Sequence, residues 1–164
     1  MKFMIGIEAS ALIDEIHGFR SLLMSETKIV DVYELIFIFD NLIEAELARE
    51  ILKEGEIFEE WHDLIVFSEG QEGESFFDYG FISDKNEKFL FKDLLCAFSI
   101  CSKDEKMIEM ANYQLDEHLV FKTKTKEGEI YFTDRQHDEL VERICQAYDI
   151  EASFLDLDKL AKKR

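Results

Sequence analysis

The sequence predicts an α/β sandwich around a mainly parallel sheet, helix-rich, in one domain spanning 1–164. Three observations predict it. Short apolar runs with β-branched members alternate with segments of helical period. Apolar residues make up 47% of the chain, enough to fill a core. The length, 164 residues, suits a single domain. The chain contains no proline.

Each element follows from its pattern. Phe3–Ile7 is apolar with β-branched members and reads as a short buried strand. Ala9–Leu23 reads as a helix, because Leu12, Ile16, Phe19 and Leu23 recur at three and four. Val32–Leu52 reads as the longest helix, with Leu35, Phe39, Ile43, Leu47 and Ile51 at spacing four and Gly55 as its stop. A short helix over Glu59–Asp63 and a buried strand over Leu64–Phe67 follow. Ser68–Ser75 carries Gly70 and Gly73 among polar residues and reads as a loop.

Phe89–Cys101 is apolar on nearly all sides and reads as a buried helix. Asp104–Gln114 continues as helix. Leu119–Thr125 sets Phe121, Thr123 and Thr125 against Lys122 and Lys124, the alternation of a half-buried strand. Lys126–Glu129 makes a turn and Ile130–Phe132 a second strand, so one antiparallel hairpin is expected near 119–132. Thr133–Tyr148 reads as a helix, with Thr133 and Gln136 as a capping box and Leu140, Val141, Ile144, Cys145 and Tyr148 as its apolar face. Ala152–Leu155 reads as a last strand and Leu157–Leu160 as a terminal turn or helix.

The formal charge is −18, unevenly spread. Residues 31–78 hold 15 acids against Arg49 and Lys53 alone. Four of the last six residues, Lys159–Arg164, are basic. Such a field repels nucleic acid at long range and attracts cations or basic partners. The apolar stretch Phe3–Ile7 stops at Glu8, too short for a signal peptide. The longest nearly apolar run, Leu94–Cys101, falls far short of the roughly 20 residues of a membrane helix. Cys96, Cys101 and Cys145 sit among apolar neighbours and read as buried thiols. Their odd number points to a reducing compartment. A cytoplasmic protein without membrane association is expected.

Four acids fall where an open α/β sheet places its sites. Glu8 follows the first strand and Asp134 follows Ile130–Phe132. Glu44 lies in the long helix, and Asp93 begins the buried one. Converging carboxylates bind hard divalent cations, Mg²⁺ or Mn²⁺, and paired metals activate water toward a phosphodiester. Each acid also has a plainer role available. Glu8 and Asp134 would favour the positive ends of the helices after them, Asp93 would be an N-cap, and Glu44 a solvated acid. Asp134 with His137, and Glu59 with His62, stand at i, i+3, a spacing that metal ligands use.

Four segments resemble PIN-domain nucleases. They are Ile5-Gly6-Ile7-Glu8-Ala9-Ser10-Ala11-Leu12-Ile13, Leu42-Ile43-Glu44-Ala45-Glu46-Leu47-Ala48, Lys92-Asp93-Leu94-Leu95-Cys96-Ala97 and Tyr131-Phe132-Thr133-Asp134-Arg135. The resemblance implies a three-layer PIN-like sandwich, with 103–127 as an insertion. It implies a Mg²⁺- or Mn²⁺-dependent endoribonuclease acting on RNA, often the toxin of a toxin–antitoxin pair, with Glu8, Glu44, Asp93 and Asp134 as metal ligands and catalytic groups. The acidic stretch 31–78 supports a different function: a non-enzymatic inhibitor or immunity protein that covers a basic toxin or nucleic-acid enzyme. A homodimer is compatible with either.

Overall fold

The computed structural model describes residues 1–102, 104–126 and 128–162. The turn residue Glu127 and the terminal bases Lys163 and Arg164 lie outside them. The chain runs β1 (Lys2–Ala9), a 3-10 turn (Ala11–Asp14), α1 (Phe19–Glu26), β2 (Asp31–Tyr33), β3 (Ile36–Phe39), α2 (Leu42–Glu54) and β4 (Phe58–Phe67). Next come β5 (Gln71–Glu72), α3 (Phe76–Tyr79), β6 (Gly80–Ile82), β7 (Lys88–Phe91), a 3-10 turn (Lys92–Leu94), β8 (Leu95–Cys101) and α4 (Glu105–Leu115). It ends with β9 (Leu119–Thr125), β10 (Gly128–Asp134), α5 (Asp138–Ala147), β11 (Glu151–Leu155) and α6 (Leu157–Ala161). Two compact units result: Met1–Phe67 with Ile82–Leu90, and Ser68–Phe81 with Phe91–Arg164.

The expected parallel sheet is not found. β1 pairs antiparallel with β3 and β4, and β2 with β3. β8 pairs antiparallel with β10 and β11, and β9 with β10 and β5. The three-layer PIN-like sandwich is therefore overturned. The reason is that three segments read as helices are strands. Ile36–Phe39 is buried at every position as β3. Phe58–Asp63 opens β4, and Leu95–Cys101 is β8. A run that is apolar throughout offers apolar residues at spacing four whatever its conformation, so its helical stripe is no evidence of a helix. Among the antiparallel pairs, short connections join only β2 to β3 and β9 to β10, and the other neighbours are brought together by longer segments, some of them helical. Glu34, at φ 51, turns β2 into β3 inside the predicted long helix.

In the first unit the strands run in the order β2-β3-β1-β4-β7. One face of β1 carries Ile5, Ile7 and Ala9, which join Phe37 and Phe39 of β3 in the core. Ala45, Ala48 and Leu52 of α2 close over them at spacing three and four. The two alanines let the helix backbone sit close to the sheet. Asn41 caps α2 by accepting from the Ile43 amide at 2.8 Å, and Gly55 ends it as predicted. The predicted Ala9–Leu23 helix is split by Gly18, at φ 74, into the Ala11–Asp14 turn and α1. Arg20 grips Asp14 with two hydrogen bonds, at 2.7 and 3.0 Å, across that break.

In the second unit a five-stranded sheet runs β11-β8-β10-β9-β5. Helices α4 and α5 cover one face, where Phe98, Leu119 and Tyr131 meet Ala111, Leu115, Val141 and Ile144. The opposite face holds the rings of Phe76, Phe121 and Phe132 in sequence, 6.0 and 6.1 Å apart. Here the sequence patterns are met: β9 and β10 form the expected hairpin, and α4, α5, β11 and α6 follow the predicted order. The capping box at Thr133 is not formed. Thr133 is a fully buried strand residue opposite Cys96 and Leu119, and Asp134 caps the next turn. No helix of the described residues is long and apolar enough to cross a membrane.

Candidate functional site

The four predicted acids occupy four separate local settings. Glu8 is not beyond the strand but within β1, which continues to Ala9. Its carboxylate accepts from His62 Nε2 at 2.6 Å. Glu44 lies in the first turn of α2, where it accepts the Lys28 amide at 2.9 Å. Asp93 sits in the Lys92–Leu94 turn and pairs with Lys92 Nζ at 3.3 Å. It is not an N-cap, a position held by Phe91. Asp134 accepts the Tyr79 hydroxyl and the Gln136 amide, the latter at 2.7 Å.

Among the described residues one cluster has the composition of a metal site: Glu8, Glu60 and His62, with ligand atoms within 4.8 Å of one another. None of the other three predicted acids belongs to it. The register builds it. On antiparallel β1 and β4, Glu8 faces Glu60 and Gly6 faces His62. Residues two apart on a strand share a face, so Gly6, Glu8, Glu60 and His62 project the same way. A side chain on Gly6 would press on His62 Cβ at 3.3 Å and Leu64 Cδ1 at 3.0 Å. Glycine there leaves the imidazole room to lean across to Glu8. Met4 and Leu64, also facing partners, bury the next step of the same face, so the cluster is the polar end of an apolar surface.

Sequence reasoning missed Glu60 and His62 as partners of Glu8. Read as a helix, the segment pairs His62 with Glu59, three positions away. As a strand it pairs His62 with Glu60. The usable signal was the twin pattern Gly6-X-Glu8 and Glu60-X-His62 on two strands. Chemically, Glu8 and Glu60 directly opposite repel each other, and a donor between them relieves this. One imidazole nitrogen with two carboxylates suits Mn²⁺ or Zn²⁺ better than Mg²⁺, which prefers an all-oxygen shell.

The second unit has a cleft of about 320 Å³ whose walls include Lys92, Cys96, Arg135, Asp138, Glu142 and Asp158. Lys92 is buried, and its Nζ reaches Asp158 at 2.6 Å. That ammonium holds the Asp158 carboxyl below its ordinary pKa. Burial, aided by Asp138, pushes the Cys96 thiol up to about 11. It stays protonated at neutral pH and is a poor nucleophile. The expectation of three buried thiols holds for Cys145 alone, since Cys96 is half-buried and Cys101 exposed.

Tyr79 and Asp134 form a pH-dependent clasp. The hydrogen bond from Tyr79, then the Gln136 amide, holds the Asp134 carboxyl below its usual range. The same bond raises Tyr79 to about 12. A carboxyl with a depressed pKa stabilises above its unfolded value of about 3.9 and loses that as pH falls through the folded value. A phenol raised to about 12 stabilises below its unfolded value of about 10 and loses that as pH rises toward 12. Tyr79→Phe should therefore destabilise most between about pH 4 and 10, and the two melting curves should converge at either extreme. A gap that is constant with pH would remove the clasp.

No protein-family model, curated protein or solved structure matches this chain.

Proposed function

We propose that this chain is a non-enzymatic acidic binding protein of the cytoplasm, an inhibitor or immunity protein that engages a basic protein. The observation that carries the reading is the acidic outer side of α2 and the turn after it, where Glu50, Glu54 and Glu56 are exposed. The two bases of the stretch are already engaged. Arg49 pairs with Glu46 at 2.5 Å and lies over the Trp61 ring, while Lys53 pairs with Glu50 at 3.4 Å and lies over Phe58. A field of one sign raises the rate of encounter with a basic partner and disfavours nucleic acid.

The metal-dependent endoribonuclease has less support. It keeps Glu8 alone of its four acids, and Glu44, Asp93 and Asp134 each serve a local hydrogen bond or ion pair.

The test is co-expression with the product of the neighbouring open reading frame. A basic product should copurify at a fixed ratio at low salt, and its affinity should fall steeply as salt shortens the Debye length from about 10 Å toward 3 Å. A neighbour without excess Lys and Arg, or a complex indifferent to salt, would overturn the reading.

A further inference from the structure

Helix α2 carries apolar residues on the side turned away from its own core. Its core side is set by Ala45, Ala48 and Leu52, all fully buried. At 100° per residue, Ile43 and Leu47 point to the opposite side, and Ile43 is 76% exposed, Leu47 43%. Glu46, Glu50 and Glu54 fall on the same outward side by the same arithmetic. Helix α1 runs antiparallel beside α2. The Phe19 ring at its start abuts Gly55 at the end of α2, and Lys28, just past its end, donates to Glu44 at the start of α2. Leu22, midway along α1, is 46% exposed. An outward helix face is normally polar, so exposed leucine and isoleucine one turn apart, framed by glutamates, form an unpartnered amphipathic surface.

We infer that this outward face of α2 is the docking surface for a cationic amphipathic helix whose apolar side chains cover Ile43 and Leu47 and whose Lys or Arg residues meet Glu54 and compete with Arg49 and Lys53 for Glu46 and Glu50. This rests on the proposed function and names its contact. Charge selects the occupant. A second copy of the chain would set the same glutamates against one another, within a protein already at −18. A cationic helix neutralises them while its apolar stripe removes Ile43 and Leu47 from water. The arrangement follows the general scheme of a hydrophobic centre with a charged rim.

Two synthetic peptides of identical Leu and Lys composition separate the outcomes. One places leucine at helical spacing i, i+3, i+4, i+7, and the other has the same residues in scrambled order. The full chain should bind the patterned peptide at least about tenfold more tightly than the scrambled one, because only the former offers a continuous apolar stripe. Ile43→Ser with Leu47→Ser should abolish that preference and leave the residual, salt-sensitive binding of the scrambled peptide unchanged. Both positions are exposed, and circular dichroism and melting temperature confirm that the variant is folded. Glu46→Gln, Glu50→Gln and Glu54→Gln together should weaken both peptides. If neither peptide binds even at low salt, the basic-partner reading itself fails. If both bind and the Ser variant keeps the preference, that reading stands and the assignment to α2 is overturned. Concentration-dependent dimerisation lost in the Ser variant also overturns it, because the occupant is then a second copy.

Discussion

Replacing Phe132 by alanine should destabilise the second unit by about 3–5 kcal/mol, the range for emptying a large aromatic site in a packed core. Phe132 is fully buried at the centre of the five-stranded sheet. Across β10 it faces Phe121 on one side and Ala97 on the other. The Phe121 ring is held in turn by Phe76, so it is not free to swing into the gap. Ala97 is too short to fill it. The cavity therefore persists, and its cost adds to the lost transfer energy. Against a typical total of 5–15 kcal/mol, this is a large fraction of the stability. Urea denaturation reads the effect as a lower midpoint with an unchanged slope. Phe77→Ala is the control. That ring also packs edge-on to Phe76, at 5.2 Å, but is 71% exposed, and its removal should have a small effect. Similar midpoints for the two variants would mean that the ring row does not organise this face.

The contrast between the two halves of the chain shows what a sequence pattern carries. Leu119–Thr125 alternates apolar with lysine, and the alternation fixes both its conformation and the face it buries. Asp138–Ala147 has one apolar stripe and a charged remainder, which only a helix can segregate. Both elements are half-exposed, and half-exposure is what writes a period into a sequence. Ile36–Phe39 and Leu95–Cys101 lie in interior strands, with every residue of β3 buried and Leu95, Ala97 and Phe98 of β8 buried on both of its faces. Water imposes no period on such residues, so their conformation is decided by neighbours distant in sequence. The candidate site inherits the same limit. Glu8 was legible, because an acid ending an apolar run is conspicuous. Its partners were not, because Glu60 and His62 reach it only through the β1–β4 register, 54 residues away in the case of His62. Asp93 and Asp134 were legible as acids at element starts, and Glu44 as an acid within a long helix. Their local tasks, binding the Lys28 amide, the Lys92 ammonium and the Tyr79 hydroxyl, depend on contacts that no spacing rule contains.

Gly73→Ala should be comparably severe, at or beyond the upper end of the roughly 1–3 kcal/mol usual for overpacking. The sequence presents Gly73 as an ordinary loop glycine, but its backbone conformation is not the left-handed one that excludes other residues. What excludes them is distance. A Cβ at this position would overlap the carbonyl oxygen of Leu119 and stand 2.6 Å from its carbonyl carbon. Those are main-chain atoms of β9, which no change of rotamer can move. The Gly73 amide also donates to Val120 at 2.9 Å, so shifting the segment away breaks a backbone bond. The neighbouring pairs Gln71 with Lys122 and Glu72 with Phe121 hold β5 to the sheet edge and would be lost with it. The expected signature is therefore local as well as global. Melting temperature falls, and the Gly73 amide and its neighbours in β5 lose protection from hydrogen exchange before β10 does. An alanine variant that keeps wild-type protection at β5 would show that the β5–β9 edge tolerates separation, and the steric account of this glycine would fail.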